Sequence, residues 1–160
     1  GFLLNNVMGD FNAAPGLTDA RGLIGTPPNL ARPEQRMLSS MTPSILARDG
    51  DLVAVVGSPG GRTIINTVLQ VILNVIEFDM NIQEAVDASR VHHQWLPDAL
   101  RIEQGERISD VTVADLETRG HSVMVRGRQG LAHSIMIDPE TGDRCGAADS
   151  RSAEAAALGN

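Results

Sequence analysis

The chain has 160 residues, 42% of them hydrophobic and 21% charged, enough for one folded domain with a real core. Its net charge of −7 argues against nucleic acid or an anionic membrane as the main partner, since both call for clustered cations. Cys145 is the only cysteine, which excludes an internal disulfide and a cysteine metal cluster and reads as a small packed residue.

Three Phe, one Trp and no Tyr leave an aliphatic core of Val, Ile, Leu, Ala and Met. The basic residues are all Arg, a side chain suited to fixed bidentate pairing. No apolar run is long enough to span a membrane, and no signal peptide is visible. The chain opens at Gly1 without a Met, inside what reads as a strand over Phe2-Leu3-Leu4, as a processed subunit or a cut-down chain does.

From Val7 to Arg36 the sequence is punctuated by Asp10, Asn12, Pro15, Gly16, Gly22, Gly25, Pro27, Pro28 and Pro33. A loop of that length in a compact domain is often functional. Ser44 to Ala47 and Leu52 to Val56 read as strands joined by Arg48-Asp49-Gly50-Asp51, with Asp-Gly as the hairpin signal. The β-branched run Val53 to Val56 suits a sheet covered on both faces.

Glycines at 57, 60 and 61 follow, and then a helix from about Thr63 to Phe78. Its apolar residues cover most of its circumference, as in a helix held between layers. Asn81 and Glu84 form a capping pattern for a shorter helix to about Ser89. Val91 to Pro97 is a compact loop carrying His92, His93 and Trp95. Leu100 to Glu103 alternates like a strand, and Ser109 or Asp110 caps a helix to Arg119, stopped by Gly120. His121 to Val125 and Ala132 to Ile137 read as strands, and Asp138 to Asp143 as a hairpin turn. Gly146 to Arg151 then leads into a soft, Ala-rich tail. Helices and strands interleave, yet hairpins are present. The fold class is therefore α+β, with layers or a mixed sheet.

Several groups carry potential chemistry. The turn Gly57-Ser58-Pro59-Gly60-Gly61 leaves a strand and opens a helix, so it presents unpaired N–H groups at the positive end of a helix dipole. Such a turn binds an anion or stabilises an oxyanion during acyl transfer; it can equally be a plain connection. A phosphate-loop reading is weak, because the spacing is one residue short and Arg62 replaces the Lys. Ser39 and Ser40 offer two hydroxyl donors to a carboxylate, or serve as a cap. Asp10 is a natural partner for an ammonium, or the head of an Asx-turn. His92 and His93, adjacent on an extended stretch, point to opposite sides, so hydrogen bonding and packing around Trp95 explain them better than a metal does. Together Asp10, the serine pair and the glycine turn would hold an α-amino acid head at one end and an acyl centre at the other.

Asn5-Asn6-Val7-Met8-Gly9-Asp10-Phe11, Leu38-Ser39-Ser40-Met41-Thr42-Pro43, Gly57-Ser58-Pro59-Gly60-Gly61, the helix Thr67 to Ile76, Asn81 to Val86, His92-His93-Gln94-Trp95-Leu96-Pro97-Asp98 and Gly146 to Arg151 resemble, in order, the small subunit of the γ-glutamyltranspeptidases. The resemblance implies the N-terminal nucleophile hydrolase fold, a four-layer αββα sandwich, cut from a precursor whose large and small subunits stay together. It implies γ-glutamyl transfer from glutathione and related compounds, through an acyl-enzyme, to water or to an acceptor amino acid or dipeptide. The nucleophile is an N-terminal threonine with its own α-amine as base. No metal or organic cofactor is implied.

Carried over residue by residue, the resemblance makes Asp10 the partner of the substrate α-ammonium, Ser39 and Ser40 the partners of its α-carboxylate, and Gly60 and Gly61 the backbone oxyanion donors. Met41 matches a packing residue beside them. Two departures stand out. The family's Thr-Thr-His motif falls upstream of Gly1, while Thr18, Thr26, Thr42 and Thr63 are internal, so residues 1–160 are expected to be one domain portion of a small subunit that lacks its nucleophile segment. The large subunit's arginine for the substrate carboxylate is missing too. In addition, Val7 stands where the family often has Gln or Glu, and Gly9 where a second Asp is common, which throws amine recognition onto Asp10. The alternatives are a related cephalosporin or glutaryl acylase and a paralogue that only binds. Bacterial members of the family are usually periplasmic or secreted, and that is the expected location.

Overall fold

The computed structural model describes residues 1–104 and 108–159. Its strands are β1 (Ser44–Arg48), β2 (Asp51–Gly57), β3 (Val91–His92), β4 (Leu100–Glu103), β5 (Val123–Arg126), β6 (His133–Ile137) and β7 (Arg144–Ala148). Its helices are α1 (Ile64–Glu77), α2 (Ile82–Asp87) and α3 (Asp110–Thr118). The Asp-Gly signal between the first two strands makes the expected hairpin. Asp49 and Gly50 both take positive φ, 54° and 96°, which lets a tight turn follow the twist of the strands it joins.

A four-stranded antiparallel sheet runs β1-β2-β6-β7. A smaller sheet runs β3-β4-β5, antiparallel and then parallel. Residues alternate across the large sheet, as strand geometry demands. On one face Ala54, Val56 and Ala147 are buried against Ile64, Val68 and Val71 of α1 and Ile82, Ala85 and Val86 of α2. On the other face the register aligns Ile45, Val55 and Ile135 in one row across three strands. These three side chains are 75%, 38% and 47% exposed. The run Val53 to Val56 therefore has one covered face among the described residues, not two.

The same holds for α1. Ile64, Thr67, Val68 and Val71 are buried, while Ile65, Leu69, Leu73 and Ile76 form an exposed stripe at helical spacing. The expectation of a helix enclosed on all sides is met on its sheet side only. One further expectation fails, and one segment gains an element. Phe2-Leu3-Leu4 is not a strand but exposed, irregular chain, because no neighbouring strand takes up its N–H and C=O groups. The segment read as leading into a tail is strand β7, which the hairpin at Asp138–Asp143 returns to β6; its Gly-Ala sequence carries little β signal. The start of the histidine loop is the short strand β3. The capping pattern at α2 is a complete box, in which Asn81 Oδ1 accepts from Glu84 N at 2.9 Å and Asn81 N donates to the Glu84 carboxylate at 3.1 Å. Ser109 caps α3, its hydroxyl oxygen accepting from Thr112 N.

Four buried charges, Arg90, Glu103, Asp149 and Arg151, form one connected group. Arg151 Nε and Nη2 donate to the two Glu103 oxygens at 2.8 and 2.5 Å. Asp149 takes Arg90 at 2.8 Å and Arg151 at 3.1 Å, as well as the backbone N–H groups of Ala132 and Arg151. Arg90 also donates to Val86 O and Gln129 O. Burial acts to raise both carboxyls, but the arginines and backbone donors outweigh it and hold Glu103 and Asp149 below their ordinary values. Burial lowers the Arg90 value, and the nearby Arg151 charge adds to that. For Arg151, burial is overcome by Glu103 and Asp149, and its value is raised. The set joins the end of α2, strand β4 and the segment after β7.

Candidate active site

Asp10 ends a short 3-10 turn, Val7–Asp10, in the long N-terminal loop. Its carboxylate is exposed and makes no hydrogen bond or ion pair among the described residues. The loop's other Asp, Asp19, behaves differently: its carboxylate accepts from Arg21 N, Leu23 N and the Arg21 side chain, and these donors lower its pKa. The local-turn reading thus fits Asp19, and Asp10 keeps its acceptor capacity for something else.

The serine pair lies in extended chain between Leu38 and Met41. Ser39 Oγ accepts from Met41 N at 3.1 Å, so its O–H remains available as a donor. Ser40 is half-buried, and its carbonyl accepts from Thr42 Oγ1. Met41 is largely exposed; the packing role expected for it is not met by the described residues.

The glycine turn does connect β2 to α1, through a 3-10 turn over Gly61–Thr63. The Gly60 carbonyl accepts from Thr63 N at 3.1 Å and Thr63 Oγ1 at 2.9 Å, which closes the turn. The N–H groups of Gly60 and Gly61 are exposed and find no acceptor among the described residues. Gly60 has φ 144°, and a Cβ there would lie 2.6 Å from Thr63 Oγ1 and 3.2 Å from Gly130 Cα. Ser58 braces the turn from below, donating to Pro59 O and accepting from Leu131 N. Arg62, the residue that spoils the phosphate-loop pattern, reaches back across 40 residues to donate to Gly22 O at 2.8 Å. It ties the glycine turn to the N-terminal loop.

That loop is held by its asparagines, of which the sequence marked Asn12 only as punctuation and Asn29 not at all. Asn12 donates to Thr26 O at 2.6 Å and to Thr26 Oγ1, and its N–H donates to Asn29 O. The buried Asn29 side chain joins Asp10 O to Leu38 N. The turn carrying Asp10 and the segment carrying the serines are therefore linked through one amide. An Asn spaced 19 residues from one partner and 9 from the other gives no periodic signal; only its place directly after Pro27-Pro28 hints at a fixed turn.

His92 and His93 diverge as expected. His92 is buried, with Nδ1 facing Asn66 Nδ2 at 3.0 Å and Nε2 facing Gln94 Oε1 at 2.9 Å. Asn66 also donates to His93 O, so His92 Nδ1 accepts and Nε2 carries the proton. His93 turns outward to Asp98. Trp95 is 60% exposed, so the hydrogen-bonding half of the expectation holds and packing around the indole does not. Among the described residues no group of His, Cys, Asp and Glu could hold a metal ion. Cys145 is free and half-buried against the core.

The family model described as Gamma-glutamyltranspeptidase matches residues 1–159. The glutathione hydrolase proenzyme of Escherichia coli is 47% identical over 154 residues, which are 96% of this chain and 26% of that protein. The corresponding proenzyme of Pseudomonas aeruginosa is 40% identical over 140 residues, 86% of this chain and 25% of that protein. A crystal structure of a mutant Helicobacter pylori gamma-glutamyltranspeptidase superposes with a TM-score of 0.86 at 44% identity, covering 95% of this chain and 82% of the crystallised one. The chain thus spans about a quarter of the length of the curated proenzymes it matches. The identity, the coverage and the shared α+β fold all lead to one conclusion: the chain belongs to the gamma-glutamyltranspeptidase family.

Proposed function

We propose that residues 1–160 form a C-terminal portion of the small subunit of a γ-glutamyltransferase/hydrolase acting on glutathione and related γ-glutamyl compounds. The observation that carries the reading is the pairing of unused groups. Asp10 offers a carboxylate with no partner among the described residues, and Gly60 and Gly61 offer two N–H groups with no acceptor among them. Asp10 takes the substrate α-ammonium and Ser39 and Ser40 take the α-carboxylate. Gly60 and Gly61 face the γ-carbonyl oxygen. An unengaged Asp10 favours a γ-glutamyl over a glutaryl substrate, which has no ammonium to offer it.

In this reading a threonine from a segment preceding Gly1 supplies the nucleophile. Its hydroxyl oxygen bonds to the γ-carbonyl carbon while its proton passes to the threonine's own α-amine. Negative charge gathers on the carbonyl oxygen, where the two glycine N–H groups stabilise it. Collapse breaks the amide bond, the leaving amine takes the proton, and a γ-glutamyl ester remains. Water, or the amine of an amino acid or dipeptide, then attacks that ester and gives up a proton to the α-amine; the ester C–O bond breaks, the threonine oxygen takes the proton back, and glutamate or a new γ-glutamyl amide is released. The large subunit of the same precursor supplies the rest of the site, including a cation for the substrate carboxylate. The relatives named proenzymes support such a precursor, and a periplasmic or secreted location goes with the family.

The test is turnover of a γ-glutamyl anilide. The isolated chain is expected to be inactive and the full-length, matured protein active; anilide hydrolysis by the isolated chain overturns the assignment of the nucleophile to another segment.

A further inference from the structure

The Asn29 side chain ties together two stretches of the site that the reading above assigns to different ends of the same amino acid head. Its Nδ2 donates to Asp10 O at 2.7 Å and to Asn12 Oδ1 at 3.3 Å, and its Oδ1 accepts from Leu38 N at 2.9 Å. The donors and acceptors around it fix which way the amide points: a carbonyl lies on one side and an N–H on the other, so a flipped amide would lose both bonds. Asn29 is 8% exposed and ends a 3-10 turn, Pro27–Asn29, whose two prolines restrict its backbone. Asn12 N donates to Asn29 O at 2.8 Å, so the backbone of Asn29 is anchored as well as its side chain.

The consequence is geometric. Asp10 and Ser39 are 29 positions apart in sequence; Asp10 ends an exposed 3-10 turn and Ser39 lies on exposed, irregular chain. An exposed loop sets its own spacing poorly, while hydrogen bonds to a buried side chain set it well. One planar amide with two bonded ends fixes the distance between the Asp10 backbone and the residue immediately before Ser39. We propose that Asn29 is a positioning residue that sets the separation of the ammonium partner from the carboxylate partner, and that it thereby determines selectivity for ligands that carry both groups on one carbon. The proposal rests on the γ-glutamyl reading.

Dissociation constants of L-glutamate and glutarate, measured by calorimetry on the matured full-length protein, test it. The two ligands differ only in the α-ammonium. In Asn29→Asp the Oδ acceptor for Leu38 N survives, while the donor to Asp10 O is replaced by an acceptor facing a carbonyl. The serine segment stays in place and the Asp10 turn is released. Binding of L-glutamate is expected to weaken about tenfold and that of glutarate less than threefold, so that the preference for glutamate shrinks. Equal weakening of both ligands, or no change in either, overturns the proposal, because a merely structural residue leaves the ratio alone. If the aspartate variant does not mature, the same ratio in Asn29→Ser decides in the same way. Failure of the underlying reading is seen separately, as a wild-type protein that does not prefer L-glutamate over glutarate, or one whose preference survives in Asp10→Ala.

Discussion

Asp10 carries the sharpest claim at the scale of one residue. It sits in a loop where Asp19 is consumed by local hydrogen bonds and Asp10 is not. Val7, three positions earlier, has no side-chain acceptor to share the work. Under the proposed function, removing the Asp10 carboxylate deletes a charge-assisted bond to the substrate ammonium, which neither Val7 nor the already engaged Asp19 can replace. Such bonds contribute about 1.5–3 kcal/mol, which converts to roughly a ten- to hundred-fold loss. In the full-length protein, Asp10→Ala is expected to lower kcat/KM for a γ-glutamyl anilide by that factor; steady-state kinetics showing no change would remove Asp10 as the ammonium partner. A glutaryl anilide, lacking the ammonium, is expected to be affected far less.

At the scale of the element, the strand-turn-helix from β2 through Gly61 to α1 was readable in outline before any coordinates. The β-branched run, the glycines and the apolar helix pattern together leave few other arrangements. What the sequence did not convey is how the turn is braced. Gly60 lies against Gly130 and Thr63, and Ser58 is held by Leu131, 73 positions away. Gly60→Ala puts a methyl group 2.6 Å from Thr63 Oγ1 at a φ of 144°, so the turn must shift and its N–H groups with it. Misplacement of that order costs about 100-fold. The expected result is a fall in kcat of that size with a much smaller change in KM, and an unaltered kcat would show that the turn does not hold the oxyanion. Legibility failed in both directions for the strands. Phe2-Leu3-Leu4 is apolar enough for a strand but pairs with no strand among the described residues. Strand β7 has a partner but an alanine- and glycine-rich sequence that did not announce it. Asn29 and the four buried charges were invisible for a related reason: each owes its role to partners tens of positions away, and no local period encodes such pairs.

For the whole molecule, the buried set of Arg90, Glu103, Asp149 and Arg151 sets how the fold responds to acid. The folded values of Glu103 and Asp149 lie below their ordinary ones. The unfolded chain therefore binds protons first as pH falls, and stability rises with pH through that range. The contribution is complete above the unfolded carboxyl values near pH 4 and is lost as pH drops through the folded values. Thermal unfolding followed between pH 7 and pH 2.5 is expected to show a flat Tm down to about pH 5 and a steep fall below it; a Tm that stays level through pH 3 would mean that the ion set contributes nothing to stability. Because each arginine there has carboxylate partners and backbone acceptors, the charges are offset inside the molecule and do not need solvent.

The row Ile45–Val55–Ile135 has a different consequence. Packed on its α1 face and, among the described residues, bare on the other, the large sheet presents a strip of oily side chains. A separate subunit that covered that strip would bind the folded chain and not the unfolded one. The free energy of folding would then include a binding term that grows with the logarithm of the partner's concentration. Dilution would then weaken the fold, which it does not do where the cover belongs to the same chain.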